Sequence, residues 1–251
     1  MPYALSLPAP ALSLLGTFRF EGAGGAVGVE ASGRRLLAFL GLNRSVSRSV
    51  LAGTLWPDVT EEHAHGSLRT ALWRLRRGSH PLVDSSGETL SLRAEVTVDV
   101  RAFVRAALDV VHADDAGVPA GPELGLLFAG DLLPGWGEEW VVFERERLRQ
   151  LRLHGLEALS ARLVRRGHHA LALDAALTCV GIDPLRESAH RAAVAVHLAE
   201  HNTVEAVRQY RAFRHLARTE LGVEPSAEFT AMLPRAPYPR RAREPGGPLA
   251  R

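Results

Sequence analysis

The segment from Ala31 to Arg77 concentrates side chains of the kind that bind polyanions. It holds eight arginines against three acidic residues, a local charge of +5 in a chain whose formal net charge is only +2. All 30 basic residues of the chain are arginines. Guanidinium groups pair with phosphates and with base edges, so a positive cluster inside a folded segment predicts an anionic partner. Among anionic partners, nucleic acid is the first candidate.

The densest part of this cluster has the periodicity of an amphipathic helix running from about Glu61 to Arg77. Four apolar residues recur at i, i+3, i+4 and i+7 and predict its core face: Leu68, Ala71, Leu72 and Leu75. The opposite face suits the major groove, because arginine can donate two hydrogen bonds to guanine and threonine can contact a thymine methyl group or a phosphate. The predicted base-reading residues are Ser67, Arg69, Thr70, Trp73, Arg74 and Arg77.

The elements around this helix must position it on a duplex. Ser47 is a predicted N-cap for a preceding helix that ends at Pro57. Cations and helix N-termini hold phosphates without reading sequence. The predicted phosphate contacts are Arg34, Arg44, Ser47 and Arg48, and a following hairpin predicts a wing with Ser85, Ser86 and Arg93. Trp73 has two interpretations, packing against this hairpin or contacting DNA.

The order of elements predicts an α+β winged helix over residues 12–100. A strand over Ser13–Phe20, a glycine-rich turn and a returning strand over Val27–Ala31 open the chain. Helices from Arg34 to about Asn43, from Ser47 and from Glu61 follow. Short β segments come last: Leu82–Asp84, a turn at Ser85–Gly87, Thr89–Leu92 and Val96–Val100.

Beyond Asp99 the pattern becomes helical, which predicts an all-α tetratricopeptide-like repeat domain over residues 101–233. A helix over Arg101–Val111 and a loop over Ala113–Leu126 precede helices from Glu138 to Ala231, with breaks at Gly167, Gly181–Pro184 and His201–Thr203. The stretch from Gly167 resembles the stretch from His201 at an offset of 34 residues, the tetratricopeptide period. Residues 1–11 and the basic, proline-rich tail 234–251 are predicted to be disordered.

Other function classes find little support in the sequence. No hydrolase, P-loop or dinucleotide motif occurs, so we expect neither an enzyme nor a cofactor. His63 and His65 would point about 200° apart on a helix, so no metal site is predicted. Cys179 is the only cysteine, and we expect it to be a structural residue. Without a membrane span or a basic signal segment, we expect a cytoplasmic, nucleoid-associated protein.

Several motifs recur in the order typical of one family. Leu55–Asp58 and Ala64–Arg77 resemble the second and third helices of the Streptomyces antibiotic regulatory protein family, whose winged helix is similar to response-regulator output domains. Val98–Val100, Gly130–Gly135, Glu139–Trp140, Glu144–Arg145 and Leu221–Ser226 resemble its second part, the bacterial transcriptional activator domain. The resemblance covers roughly residues 12–233. Trp73 departs from it, standing where the pattern has a small polar residue.

The resemblance implies a pathway-specific transcription activator, usually of secondary-metabolite (antibiotic) gene clusters in actinobacteria. Such proteins bind direct repeats in double-stranded DNA near the promoter −35 region, with two protomers side by side, and recruit RNA polymerase holoenzyme through its sigma factor and other subunits. The missing P-loop matches the short members of the family. The alternative is a protein-interaction scaffold that uses the helical repeats and whose winged helix does not bind DNA.

Overall fold

The computed structural model describes residues 9–22, 24–77, 82–112 and 122–233. The chain forms two compact units, Met1–Arg162 and Leu163–Arg251, and their division falls inside a long helix. The domain boundary predicted at residue 100 stays a prediction. The segments predicted to be disordered lie almost wholly outside the described residues, although Ala11 already begins a strand. In the described part of the chain, no helix is both long and apolar enough to cross a membrane.

The chain opens with a four-stranded sheet of order β3-β2-β1-β7. Its strands are β1 (Ala11–Ser13), β2 (Arg19–Gly22), β3 (Gly25–Ala26) and β7 (Thr97–Val98). The single strand predicted over Ser13–Phe20 is wrong, because Gly16 lies in the left-handed region at φ 78° and separates β1 from β2. The returning strand predicted over Val27–Ala31 is also wrong: the hairpin closes earlier, with Gly22 opposite Gly25.

Three helices follow: α1 (Ala31–Leu42), α2 (Arg48–Leu55) and α3 (Glu61–Arg76). α1 begins three residues before the predicted start at Arg34 and ends, as predicted, before Asn43. The Ser47 side chain caps α2 by accepting a hydrogen bond from the N–H of Val50 at 3.3 Å, which confirms the predicted N-cap. α3 has the predicted extent, and its first turn carries two glutamates that suit the helix dipole.

A second sheet of order β4-β6-β5 supports these helices. Its strands are β4 (Val46–Ser47), β5 (Val83–Ser86) and β6 (Thr89–Leu92). The hairpin turn lies at Gly87 and Glu88 rather than at Ser85–Gly87, since Gly87 takes the left-handed φ of 57°. The strand predicted over Val96–Val100 shortens to β7, because Asp99 already begins α4 (Asp99–His112).

Asp99 ties the first strand to the start of α4. Its carboxylate accepts hydrogen bonds from the backbone N–H groups of Leu14 at 2.9 Å, Leu15 at 2.9 Å and Val100 at 2.7 Å. Burial raises the pKa of Asp99, while the three N–H donors act in the opposite direction. The carboxylate thus satisfies two buried N–H groups that follow β1 and have no strand partner.

Replacing Asp99 with alanine is expected to destabilise the first unit by about 2–4 kcal/mol, because two buried N–H groups lose their acceptor. All four tryptophans, at positions 56, 73, 136 and 140, lie in this unit. Tryptophan fluorescence during urea unfolding therefore reports its stability. Asp109→Ala is the matched control, since Asp109 is exposed on the same helix. Equal free energies of unfolding for the two variants would contradict the assigned role of Asp99.

Two arginines of α5 (Glu139–Arg165) hold the segment 130–136 in place. Arg145 donates to the carbonyl groups of Leu132 at 2.7 Å, Leu133 at 2.6 Å and Trp136 at 2.9 Å. Arg152, only 3% exposed, donates to the carbonyl of Gly130 at 2.7 Å. The motifs Gly130–Gly135 and Glu144–Arg145 are therefore two sides of one hydrogen-bonded arrangement.

The same segment also pairs with the chain that follows β1. The N–H of Leu133 donates to the carbonyl of Leu14 at 2.9 Å, and the N–H of Gly16 donates to the carbonyl of Asp131 at 2.8 Å. A side chain at Gly130 would approach the Cα of Gly16 to 2.9 Å, so only glycine fits there. Part of the predicted loop Ala113–Leu126 is a 3-10 helix over Pro122–Phe128, and its residues 113–121 lie outside the described part.

The second unit is helical, as predicted. It contains the end of α5, then α6 (His169–Ile182), α7 (Glu187–Ala199), α8 (Thr203–Leu221) and α9 (Ala227–Ala231). The predicted breaks near Gly167, 181–184 and 201–203 are confirmed. α6 and α8 begin 34 residues apart, at residues 169 and 203, and the matched Ala172 and Ala206 are both fully buried.

The motif Leu221–Ser226 ends α8 and begins α9. Gly222, left-handed at φ 68°, donates to the carbonyl of Arg218 at 3.1 Å, and Val223 donates to that of Ala217 at 3.4 Å. The bond from Gly222 to Arg218, made by a left-handed glycine, is that of the αL capping motif, which favours glycine. The Ser226 side chain then caps α9 by accepting the N–H of Phe229 at 3.1 Å. Phe229 is thereby fixed in the apolar core of the second unit, beside Phe213.

Candidate nucleic-acid interface

α3 has one buried face and one exposed, polar face. Ala64, Leu68, Ala71 and Leu72 are buried, whereas Leu75, predicted to be in the core, is half-buried because it lies at the edge of the seam. The arginines and the threonine predicted to read bases all lie on the exposed side: Arg69, Thr70, Arg74 and Arg77. Ser67 is half-buried. The sequence periodicity therefore placed the two faces correctly.

A groove runs along the exposed side of α3 where α1 and the end of α2 approach it. It is lined by Ser32, Trp56, Glu62, His63, Gly66, Ser67, Arg69, Thr70, Ala71 and Arg74. The hydroxyls and the two guanidinium groups can all donate hydrogen bonds, as base edges and phosphates require. The groove therefore brings together four of the six predicted base-reading residues: Ser67, Arg69, Thr70 and Arg74.

Several of the six predicted base-reading side chains already have partners within the protein. Arg74 forms an ion pair with Glu30, with 2.6 Å between the guanidinium Nη1 and the carboxylate Oε2. The hydroxyl of Thr70 donates to the carbonyl of Gly66 at 3.0 Å. Arg77 stacks over the ring of Trp73 at 4.6 Å. Arg69 is exposed and has no hydrogen-bond or ion-pair partner among the residues that the structure describes. Of the three arginines predicted to read bases, Arg69 can therefore bind an anion without first breaking a contact within the protein.

Trp73 lies on the surface of α3, with 56% of its area exposed. Its ring is covered on one side by the guanidinium of Arg77, an arrangement in which the ring quadrupole attracts the cation. The two residues therefore form one unit at the C-terminal end of α3, outside the groove described above.

The predicted phosphate contacts fall into two places. Ser47 and Arg48 lie at the N-terminus of α2, next to the hairpin: Arg48 donates through its side chain to the hydroxyl of Ser85 at 2.8 Å and through its N–H to the carbonyl of Glu88 at 2.8 Å. Arg34 and Arg44 are exposed, in α1 and between α1 and β4. The N-terminus of α2 and the hairpin turn therefore form one surface.

The three residues predicted for the wing do not lie together. Ser85 and Ser86 end β5 beside the hairpin turn, and both are exposed. Arg93 follows β6 at the other end of the hairpin, where its N–H donates to the carbonyl of Leu82 and its guanidinium pairs with Glu95 at 3.3 Å. The hydrogen bond from Arg93 lowers the pKa of Glu95. The register of β5 on β6, which separates these residues, was not readable from the sequence.

Glu30 is the residue of this surface that the sequence interpretation missed. It precedes α1, lies 44 residues from Arg74 in the chain, and is exposed. No periodicity or motif links two such positions. Its carboxylate neutralises part of the charge of Arg74, which lines the groove.

Comparisons with known proteins place the chain in a family. A family model described as the bacterial transcriptional activator domain matches residues 98–234, more than half of the chain. Among solved structures, Mycobacterium tuberculosis EmbR, in complex with a low affinity phosphopeptide, has a similar fold with a TM-score of 0.73 and 19% sequence identity. That match covers 89% of this chain and 64% of the EmbR chain. No curated protein matches the sequence.

The family match spans the elements whose motifs carried the resemblance. It begins in β7, next to Asp99, and includes both the segment that Arg145 and Arg152 hold and the cap between α8 and α9. The chain belongs to the bacterial transcriptional activator domain family, which confirms its resemblance to transcription activators of the Streptomyces antibiotic regulatory protein type.

Proposed function

We propose that this protein is a sequence-specific DNA-binding transcription activator in which residues 12–100 act as a winged helix. α3 is the recognition helix, and the hairpin of β5 and β6 is the wing. One observation carries the proposal: α3 buries an apolar face and presents Arg69, Thr70 and Arg74 along a groove. These donors match the acceptors that bases present in the major groove.

The surface formed by α2 and the hairpin supports the same orientation on DNA. Ser47 and Arg48 at the start of α2 and Ser85 near the hairpin turn are adjacent. A capped helix N-terminus with a neighbouring arginine is suited to a phosphate. Arg44, exposed just before β4, adds charge on this side. We assign these residues to the DNA backbone, where they set the register of α3 without reading sequence.

Membership of the family extends the proposal to partners. We infer that two protomers bind a direct repeat near the −35 region of promoters in a secondary-metabolite gene cluster, and that they recruit RNA polymerase holoenzyme. Because a direct repeat places both copies in the same orientation, contacts between protomers would join two different surfaces of the chain. The proposed site of action is the nucleoid.

An unbiased selection of genomic fragments tests this function. Purified full-length protein is mixed with sheared genomic DNA and excess random-sequence competitor, and the retained fragments are sequenced. We expect enrichment of a few fragments that share a short sequence present twice in the same orientation. Fragments retained without any shared sequence, or none retained, would contradict sequence-specific binding and favour a protein-interaction scaffold that acts through its helical repeats.

A further inference from the structure

The solvent-facing side of α8 carries a row of arginines in the second unit. Arg208, Arg211, Arg214 and Arg218 follow one another at spacings of three and four residues, so they lie along one face of the helix. All four are exposed. We refer to Arg211, Arg214 and Arg218 as the α8 arginine stripe. The buried side of the same helix consists of Ala206, Phe213 and Ala217, so the stripe has no role in the core.

A shallow concavity lies along this stripe. Its lining consists of Arg211, Arg214, His215, Arg218 and Thr219. Every one of these side chains can donate hydrogen bonds, and the lining contains neither a carboxylate nor an apolar side chain. Guanidinium groups bind the oxygen atoms of phosphates and carboxylates through paired N–H donors. The concavity therefore has the chemistry of an anion site.

The charge of the stripe is only partly balanced within the protein. Glu224 pairs with Arg214 at 2.7 Å and with Arg218 at 3.3 Å, so one carboxylate serves two guanidinium groups. Arg211 has no ion-pair partner in the described part of the chain. Like charges three and four residues apart on a helix repel one another and destabilise it. Glu224 therefore offsets only part of this repulsion, and an external anion bound at the stripe would offset the rest.

We propose that the α8 arginine stripe binds the phosphates of double-stranded DNA, as a second contact that does not read sequence. This inference rests on the proposed function, which brings a duplex to the protein. α8 rises by about 10 Å from Arg211 to Arg218, and a duplex carries about six phosphates over that length. These phosphates outnumber the single carboxylate of Glu224, with which they compete for the guanidinium groups of the stripe. A duplex already bound through α3 also has a high effective concentration for a second contact.

The salt dependence of binding to a random-sequence duplex tests the stripe directly. The probe is a fluorescent duplex about three helical turns long, titrated with the full chain at about 50 mM to about 200 mM salt. The variant is Arg211→Gln, Arg214→Gln, Arg218→Gln. Each phosphate contact contributes about 0.9 to the slope of log affinity against log salt, so we expect the variant to reduce that slope by about 2 to 3.

Two further variants separate a local contact from net charge. Arg19→Gln, Arg147→Gln, Arg166→Gln removes the same charge from exposed arginines elsewhere, and we expect it to leave the slope unchanged. Lysine at the three stripe positions keeps the charge, so we expect it to retain most of the slope. An unchanged slope in the glutamine variant of the stripe, or an equal reduction in the charge-matched control, would overturn the proposal.

Comparing the stripe variant with a variant of α3 distinguishes an error in the stripe proposal from an error in the proposed function. If Arg69→Ala, Arg74→Ala abolishes sequence preference while the stripe variant keeps the wild-type slope, α3 reads DNA and the stripe proposal is wrong. If the stripe variant loses slope while the α3 variant keeps full sequence preference, the recognition helix is wrong and the stripe proposal stands. Wild-type protein that binds no duplex at any salt concentration would contradict both.

Discussion

Replacing Arg69 and Arg74 with alanine is expected to weaken operator binding by about 2–6 kcal/mol, with binding to random DNA much less affected. Each arginine that reads a base is worth about 1–3 kcal/mol of discrimination. Arg69 is expected to give the larger share, since Arg74 must first leave Glu30, to which it is paired at 2.6 Å. Operator affinity in competition with random DNA measures the effect.

Two controls make this result specific to the groove on α3. Arg76→Ala removes an exposed arginine of the same helix that does not line the groove, and we expect operator affinity to stay within about threefold of wild type, as for a surface substitution away from the interface. Glu30→Gln is expected to raise affinity, because it frees Arg74 and removes a negative charge. Equal losses from Arg76→Ala and from the double variant would contradict the assigned role of the groove.

Arg145→Ala is expected to destabilise the first unit by about 3 kcal/mol. The change removes one guanidinium that donates to three carbonyl groups, at 2.6 to 2.9 Å, in the segment that packs against the chain after β1. Hydrogen bonds from charged donors are worth about 1.5–3 kcal/mol each, but Arg145 is only half-buried, so water replaces part of the three bonds in the variant. Urea unfolding followed by tryptophan fluorescence measures the change.

Arg147→Ala is the matched control for that prediction. Arg147 lies on the same helix two residues later, and its 2.8 Å ion pair with Glu144 is an exposed contact between residues three apart. Such pairs contribute a few tenths of a kcal/mol, so we expect almost no change in stability. Arg145→Lys should recover only part of the loss, because an ammonium lacks the planar set of donors. Similar destabilisation by Arg145→Ala and Arg147→Ala would contradict this explanation of the motif.

The helices were predictable because their signals are local. The i, i+3, i+4 spacing of Leu68, Ala71 and Leu72 identified the buried side of α3, and Ser47 identified the start of α2. The offset of 34 residues anticipated the starts of α6 and α8. Each of these features depends on neighbours within one or two turns of helix, which a sequence displays directly.

The remainder depended on contacts between distant residues. The strands β1, β3 and β7 have two or three residues each, too few to show alternation. The pair of Arg74 with Glu30 joins residues 44 positions apart, and Arg145 binds carbonyl groups, which carry no sequence signature. The separation of Arg93 from Ser85 follows from the register of β5 on β6. None of these has a periodic pattern that could reveal it in advance.

Mapping where α3 lies on DNA tests the central claim most directly. The only cysteine, Cys179, is fully buried, so Arg76→Cys, on α3 but outside the groove, provides a unique exposed site for an iron–EDTA cleavage reagent. On a fragment recovered by the genomic selection, we predict cuts in the major groove within each copy of the repeat, and none from the same reagent at Asp109→Cys. Cuts scattered without relation to the repeat, or no cuts on a fragment that the protein binds, would contradict recognition by α3.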